Sequence, residues 1–208
     1  METTDFPVTA TSRLQLFYTP RSHFSRKVRL LFDALRVDFE MVDIGEVGDS
    51  DHLAFAGNPA MTVPVLRIDD MEVYDSDHIA NVVSSAFDQD DRLRVRTCEF
   101  ELLNARATMN AIMLADVRIV LANRRNEADY FSASLDKSRR IISSGLSYLD
   151  TKKHLFRPKC PRFHDFHFIS MWDHLKLYEL MEHNWPELES VADSLHKHSM
   201  VARSRPPK

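Results

Sequence analysis

The chain has 208 residues, 44% of them hydrophobic and 28% charged, with a formal net charge of −4. That length can bury the core of one large domain or two small ones, and the slight acidity gives no reason to expect nucleic acid or an anionic membrane as partner. Two cysteines far apart in sequence, Cys98 and Cys160, exclude a disulfide framework and a zinc knuckle. No apolar run reaches the length of a membrane span, and the acidic start Met1-Glu2-Thr3-Thr4-Asp5 lacks a secretory signal, so a cytoplasmic location is the expectation.

The first twelve residues read as a polar leader. Leu14-Gln15-Leu16-Phe17-Tyr18 predicts a strand, and Ser22 opens a helix to Leu35. Residues 37–44 read as a second strand. Gly45 and Gly48 break it, and Asp49-Ser50-Asp51 is placed to cap a short helix reaching Ala56. Asn58-Pro59 marks a turn. Residues 63–68 and 71–74 predict a hairpin turning at Asp69-Asp70, and Ser76 is placed to cap a helix running to Phe87.

The charged stretch 88–92 is the predicted linker, after which the pattern becomes helical throughout. Leu102, Ala105, Met109, Ile112, Met113 and Val117 recur at spacings of three and four. Residues 128–149, including Phe131, Leu135, Ile142 and Leu149, predict another helix, and 166–181 and 187–195 two more. The order βαβαββα followed by helices alone predicts a small mixed-sheet domain (13–88) and an all-helical one (92–200).

The turn from first strand to first helix carries chemistry. Tyr18-Thr19-Pro20-Arg21-Ser22-His23-Phe24-Ser25 sets hydroxyls beside the unpaired N–H groups of a helix start, where negative charge, including a thiolate, is favoured. Read from the residues alone, Ser22 is a helix cap or a thiolate-stabilising hydroxyl. Tyr18, at the strand's end, offers the same chemistry or simply buries its ring.

This turn, the run Asn58-Pro59-Ala60-Met61-Thr62-Val63-Pro64-Val65-Leu66, the pair Asp75-Ser76 and the closing Trp185-Pro186-Glu187-Leu188 together resemble the cytosolic glutathione transferase family. The likeness is specific over residues 13–88 and looser beyond. It implies an α/β thioredoxin-like domain that binds glutathione and an all-α domain that holds a small electrophile. It also implies glutathione as co-substrate with no metal, a homodimer, and a role in detoxification.

Carried over by position, Ser22 resembles the catalytic Ser or Cys, with Tyr18 as competitor. Pro64 resembles the family's cis-proline, exposing the Val63 backbone to the glutathione cysteine. Asp75 and Ser76 resemble the residues holding the γ-glutamyl ammonium and carboxylate. Met109 and Met113 face the implied electrophile pocket or else the core.

Some positions depart from the pattern. Ser25 stands where a Cys-x-x-Cys pair would end, so dithiol exchange at this turn is excluded. Met61-Thr62 replaces a frequent Gly-Lys, and Arg162 precedes Asp165 where Ser or Thr usually begins a capping box. His164, His167 and His174 read as helix-surface histidines rather than a metal site. A non-catalytic binding or regulatory protein resembling the stringent starvation protein is the alternative function, and isomerase or dehalogenase chemistry a third.

Overall fold

A computed structural model describes residues 8, 12–45, 47, 52–125, 132–181 and 184–207, and the chain divides into one unit up to Arg96 and another from Thr97 to Pro206. In the first unit, strand β1 (Leu14–Tyr18) lies inside a four-stranded sheet of order β2-β1-β3-β4. Leu14 and Leu16 are buried on one face, as period-two alternation requires. β1 runs parallel to β2 (Glu40–Asp43) and antiparallel to β3 (Val65–Ile68), which pairs antiparallel with β4 (Met71–Tyr74).

Helix α1 (His23–Leu35) joins β1 to β2 and buries Val28, Leu30, Leu31 and Phe32 completely. Each such side chain contributes about 1.5–3 kcal/mol when removed from water. The helix closes on Arg36 in the left-handed region (φ 55°), with the Val37 N–H donating to the Phe32 carbonyl at 3.1 Å. This six-to-one closure is why the second strand starts at Glu40 rather than Val37: the Val37 N–H is already spent on the helix end. Phe39 stacks on Phe32 at 4.4 Å.

The expected short helix before Ala56 is instead a set of turns. Phe55 and Ala56 donate to the carbonyls three residues back, and Ala56 and Gly57 have φ of 54° and 79°, which a helix cannot continue through. The proposed cap at 49–51 lies outside the described residues. The hairpin turns at Asp69-Asp70, Asp69 taking φ 53°. Helix α2 (Ser76–Phe87) follows and packs on α1, β3 and β4.

The stretch 88–96 is tied to α2. Asp88 is buried, and its carboxylate accepts from Leu93 N at 2.9 Å and Arg92 Nε at 3.0 Å. Asp91 accepts from Val95 N, and the Arg96 guanidinium donates to the carbonyls of Asp88 and Gln89. Burial alone would raise the Asp88 carboxyl. The Leu93 N–H and the Arg92 donors outweigh it and hold the group below the usual carboxylate range.

The second unit is helical among its described residues: α3 (Phe100–Arg124), α4 (Ser132–Asp150), a 3₁₀ turn (Lys153–Leu155), α5 (Phe163–Leu177), α6 (Pro186–Leu195) and α7 (Ser199–Arg203). The expected Phe131 contact lies outside the described residues. α3 and α4 approach closely at Gly145, where a Cβ would come within 2.8 Å of Ile112 Cδ1. α5 buries twelve of its fifteen residues and packs on α3 and α6, as a helix apolar on most sides must. It ends at Leu177, short of the expected Met181, because Glu179 turns left-handed (φ 54°). No described helix is long and apolar enough to cross a membrane.

Candidate glutathione site

Ser22 is the N-cap of α1, its backbone extended (φ −67°, ψ 113°). Its Oγ accepts from Ser25 N at 3.1 Å and from the Ser25 hydroxyl at 3.0 Å. A hydroxyl has one donor and two acceptor positions. Ser25 is fully buried, so its N–H and its hydroxyl both hold the Ser22 oxygen inside the protein. His23, at the first helical position, is also buried.

Tyr18 is half-buried at the end of β1, its carbonyl accepting from Ile44 N at 3.0 Å. The Arg29 guanidinium lies 5.3 Å from its ring centre. Arg29 is seven residues past Ser22, about 10 Å along the helix axis, so this contact draws the ring toward the second turn of α1.

The loop before β3 is organised by Asn58, which is completely buried. Its Nδ2 donates to Thr62 O at 3.0 Å and Thr62 Oγ1 at 3.2 Å, and its Oδ1 accepts from Ala60 N at 3.0 Å. Met61 sits left-handed (φ 48°) and half exposed. The Val63–Pro64 peptide is cis, as the resemblance implies.

At the third turn Asp75, not Ser76, caps α2. Its Oδ1 accepts from Asp77 N at 2.7 Å, from a backbone with φ 69°. Ser76 is therefore the first helical residue. It is 2% exposed, and its Oγ has no hydrogen-bond partner among the described residues. The sequence could not distinguish two adjacent residues that are both good caps.

Sheet register brings these turns to one end of the unit. Phe17 pairs with Val65 and Val65 with Tyr74. The end of β1 leading to Ser22, the start of β3 after Pro64 and the end of β4 before Asp75 are thus three neighbouring strand ends. At about 4.8 Å between strands, they line a span of about 10 Å.

In the second unit Met109 and Met113 lie on α3 with no exposed surface. The three histidines expected on helix surfaces are buried instead: His164 at 2%, His167 at 0% and His174 at 6% exposure. α5 is central, so polar residues on it enter the core and need internal partners. His174 Nδ1 meets Asp116 Oδ2 at 2.8 Å, and burial pushes the Asp116 carboxyl up while His174 pulls it down. His164 Nε2 donates to the Leu155 carbonyl, and burial pushes its pKa below the usual histidine value. Asp165 accepts from the Arg162 and Arg157 N–H groups, both at 2.8 Å. That is half of a capping box, since a guanidinium has no acceptor to complete it.

Sequence reasoning passed over three contributors. Ser25 supports Ser22, and its hydroxyl three residues beyond a cap was the available signal. Asn58 braces the loop. Lys27, with no exposed side-chain surface, reaches Asp77 Oδ1 at 2.8 Å, a pairing between helices that no local pattern announces.

A small mixed sheet whose one end gathers a serine-capped helix, a cis-proline and an acid-Ser turn, followed by a helical unit, is the glutathione transferase architecture. Residues 16–91 match the family profile "Glutathione S-transferase, N-terminal domain". No curated protein matches the sequence significantly. Among solved structures, the fold is similar to a glutathione S-transferase from Methylobacillus flagellatus with glutathione bound (TM-score 0.77, 23% identity, 93% of this chain and 100% of that one). It is also similar to one from Methylobacterium radiotolerans in complex with glutathione sulfonate (TM-score 0.81, 22% identity, 94% and 96%). A maleylacetoacetate isomerase from Anaeromyxobacter dehalogenans with bound glutathione shares the fold as well (TM-score 0.70, 18% identity, 94% and 95%).

Proposed function

We propose that this chain is a glutathione transferase that activates the thiol of glutathione with Ser22 and joins it to a small electrophile. The observation that carries this reading is the state of the Ser22 oxygen. Ser25 braces this oxygen at the N-terminus of α1, and the Ser22 hydroxyl is proposed to donate to a sulfur at that positive helix end. A cysteine thiol has a reference pKa of about 8.5 and is mostly protonated at neutral pH. A donated hydrogen bond and the helix end both favour the thiolate without making the serine covalent. The thiol proton leaves to solvent, the sulfur lone pair forms the bond to an electrophilic carbon, and the displaced electron pair leaves with the leaving group or moves onto the acceptor.

The rest of the cradle suits a tripeptide. The span of about 10 Å across three strand ends is close to the reach of three extended residues. The buried, unpartnered Ser76 Oγ at the start of α2 fits a carboxylate, and Asp75 fits the ammonium beside it. Val63, ahead of the cis-proline, is left to pair with the cysteine backbone. Asp75 holds a strained left-handed φ, a state that costs about 1–3 kcal/mol and clusters at ligand clamps.

Homodimerisation is proposed from the resemblance and from the exposed apolar residues Phe100, Leu103 and Leu114 of α3. Thiol transfer to a chromogenic aryl halide tests the main reading. Ser22→Ala is expected to lower kcat/KM about 100-fold, while Tyr18→Phe stays within a few-fold of the parent. The opposite pattern would move the role to Tyr18.

One observation favours a second reading, a non-catalytic binding protein of the same fold. The loop from Asn58 to Thr62 offers no cation for a glycine carboxylate. Under that reading millimolar glutathione leaves the melting temperature unchanged.

A further inference from the structure

Lys27 is a buried charge in the first unit, its side chain wholly removed from solvent. Its ammonium meets Asp77 Oδ1 at 2.8 Å and lies 5.6 Å from the Phe24 ring centre. Burying the Lys27 ammonium costs desolvation that attraction to the part-exposed Asp77 carboxylate often fails to recover, so stability is a poor reason for keeping it. The pair's location supplies a better reason. Lys27 is on the second turn of the helix that Ser22 caps, and Asp77 is in the first turn of the helix that Asp75 caps.

Asp77 grips its turn twice. Its N–H donates to Asp75 Oδ1 at 2.7 Å, and its carboxylate accepts from Lys27. Between the two acids stands Ser76, buried with an unpartnered Oγ, on a twelve-residue helix. Asp75 itself is held at φ 69°, a backbone that relaxes unless something outside the turn fixes it. There is an electrostatic side too. A bare Asp77 carboxylate one residue from Ser76 would repel any anion arriving there, and Lys27 cancels that charge.

We propose that Lys27, acting through Asp77, is a positioning residue for the α-amino-carboxylate end of a γ-glutamyl thiol. It locks the Asp75-Ser76-Asp77 turn in its strained form and neutralises Asp77, so that Ser76 and the α2 N–H groups receive the ligand's carboxylate. The proposal rests on the glutathione reading of this site and adds to it a residue that touches no ligand.

Calorimetric titration separates the two. The ligands are glutathione and 4-aminobutyryl-cysteinyl-glycine, which lacks only the γ-glutamyl carboxylate. The parent protein is expected to bind glutathione and to favour it over the analogue. Lys27→Met is expected to bind glutathione about tenfold more weakly, the scale of one lost charge-assisted interaction. The double variant Lys27→Met/Asp77→Leu removes both charges and should regain the parent's melting temperature. It should nevertheless stay weak and no longer distinguish the two ligands.

Recovery of affinity and discrimination together with stability would reduce the pair to a brace and overturn the proposal. So would full affinity in folded Lys27→Met, with the glutathione reading left standing. A parent protein that binds neither ligand at millimolar concentration would sink both.

Discussion

At Ser22 one oxygen serves the fold and the chemistry together, and the two roles can be pulled apart. As a cap, Ser22 Oγ accepts from Ser25 N, and its loss in Ser22→Ala should cost about 1 kcal/mol of stability. An aspartate at the same place keeps the acceptor, so Ser22→Asp should recover that stability in a denaturant titration. It has no proton to donate at neutral pH and sets a negative charge beside the sulfur, so transferase activity should remain as low as in Ser22→Ala. Activity that returned with stability would make Ser22 a cap and nothing more.

Ser25→Ala removes the hydroxyl paired with the Ser22 oxygen and loosens the hold on it. A loss of about tenfold in kcat/KM is the expected outcome. The importance of Ser22 was legible from the sequence because residue type, a strand before and a helix after all agreed. Its pairing with Ser25 was not, since that depends on a hydroxyl one turn away.

The elements show why some boundaries read correctly and others did not. β1, the hairpin and α1 follow from periodicity and local turn chemistry, and register then assembles the site without further instruction. β2 lost its first residues to the helix closure at Arg36 and Val37, a bond formed across the boundary. The buried histidines of α5 escaped because polarity was taken as exposure, whereas a central helix buries all its faces. The stretch 88–92 looked like solvated linker for the same reason, although Asp88 is the hub of its hydrogen bonds.

That hub gives a pH signature. The Asp88 carboxyl is held low in the fold, so its stabilisation is fully present above the ordinary carboxylate range. It is lost as pH falls through the depressed folded value. Asp88→Asn should therefore cost about 1–3 kcal/mol at neutral pH, with the gap to the parent closing in acid. A gap that widened in acid would contradict this sign. In the second unit Gly145→Val should destabilise by about 1–3 kcal/mol, because the added carbons meet Ile112 where the Cβ alone already comes within 2.8 Å. An unchanged melting temperature would mean that α3 and α4 separate without cost.

For the whole molecule the open question is what covers α3. One face of this helix is core, with Leu102, Ala105, Met109 and Ile112 buried. A second face runs Phe100, Leu103, Ala107, Ala111 and Leu114 at helical spacing and is exposed, with Phe100 at 81%, Leu103 at 42% and Leu114 at 54%. Single exposed apolar side chains need no explanation, but a stripe about 21 Å long on one helix fits the proposed dimer interface. In a two-fold dimer the same stripe meets itself or a second patch in both directions. A like charge at two of its positions is then counted twice across the axis. Phe100→Lys/Leu114→Lys should sediment as a monomer at concentrations where the parent is a dimer, with an unchanged far-ultraviolet spectrum, since neither side chain supports the core. A parent that sediments as a monomer at tens of micromolar would end the dimer reading. A charged variant that remained a dimer would place the interface on another face.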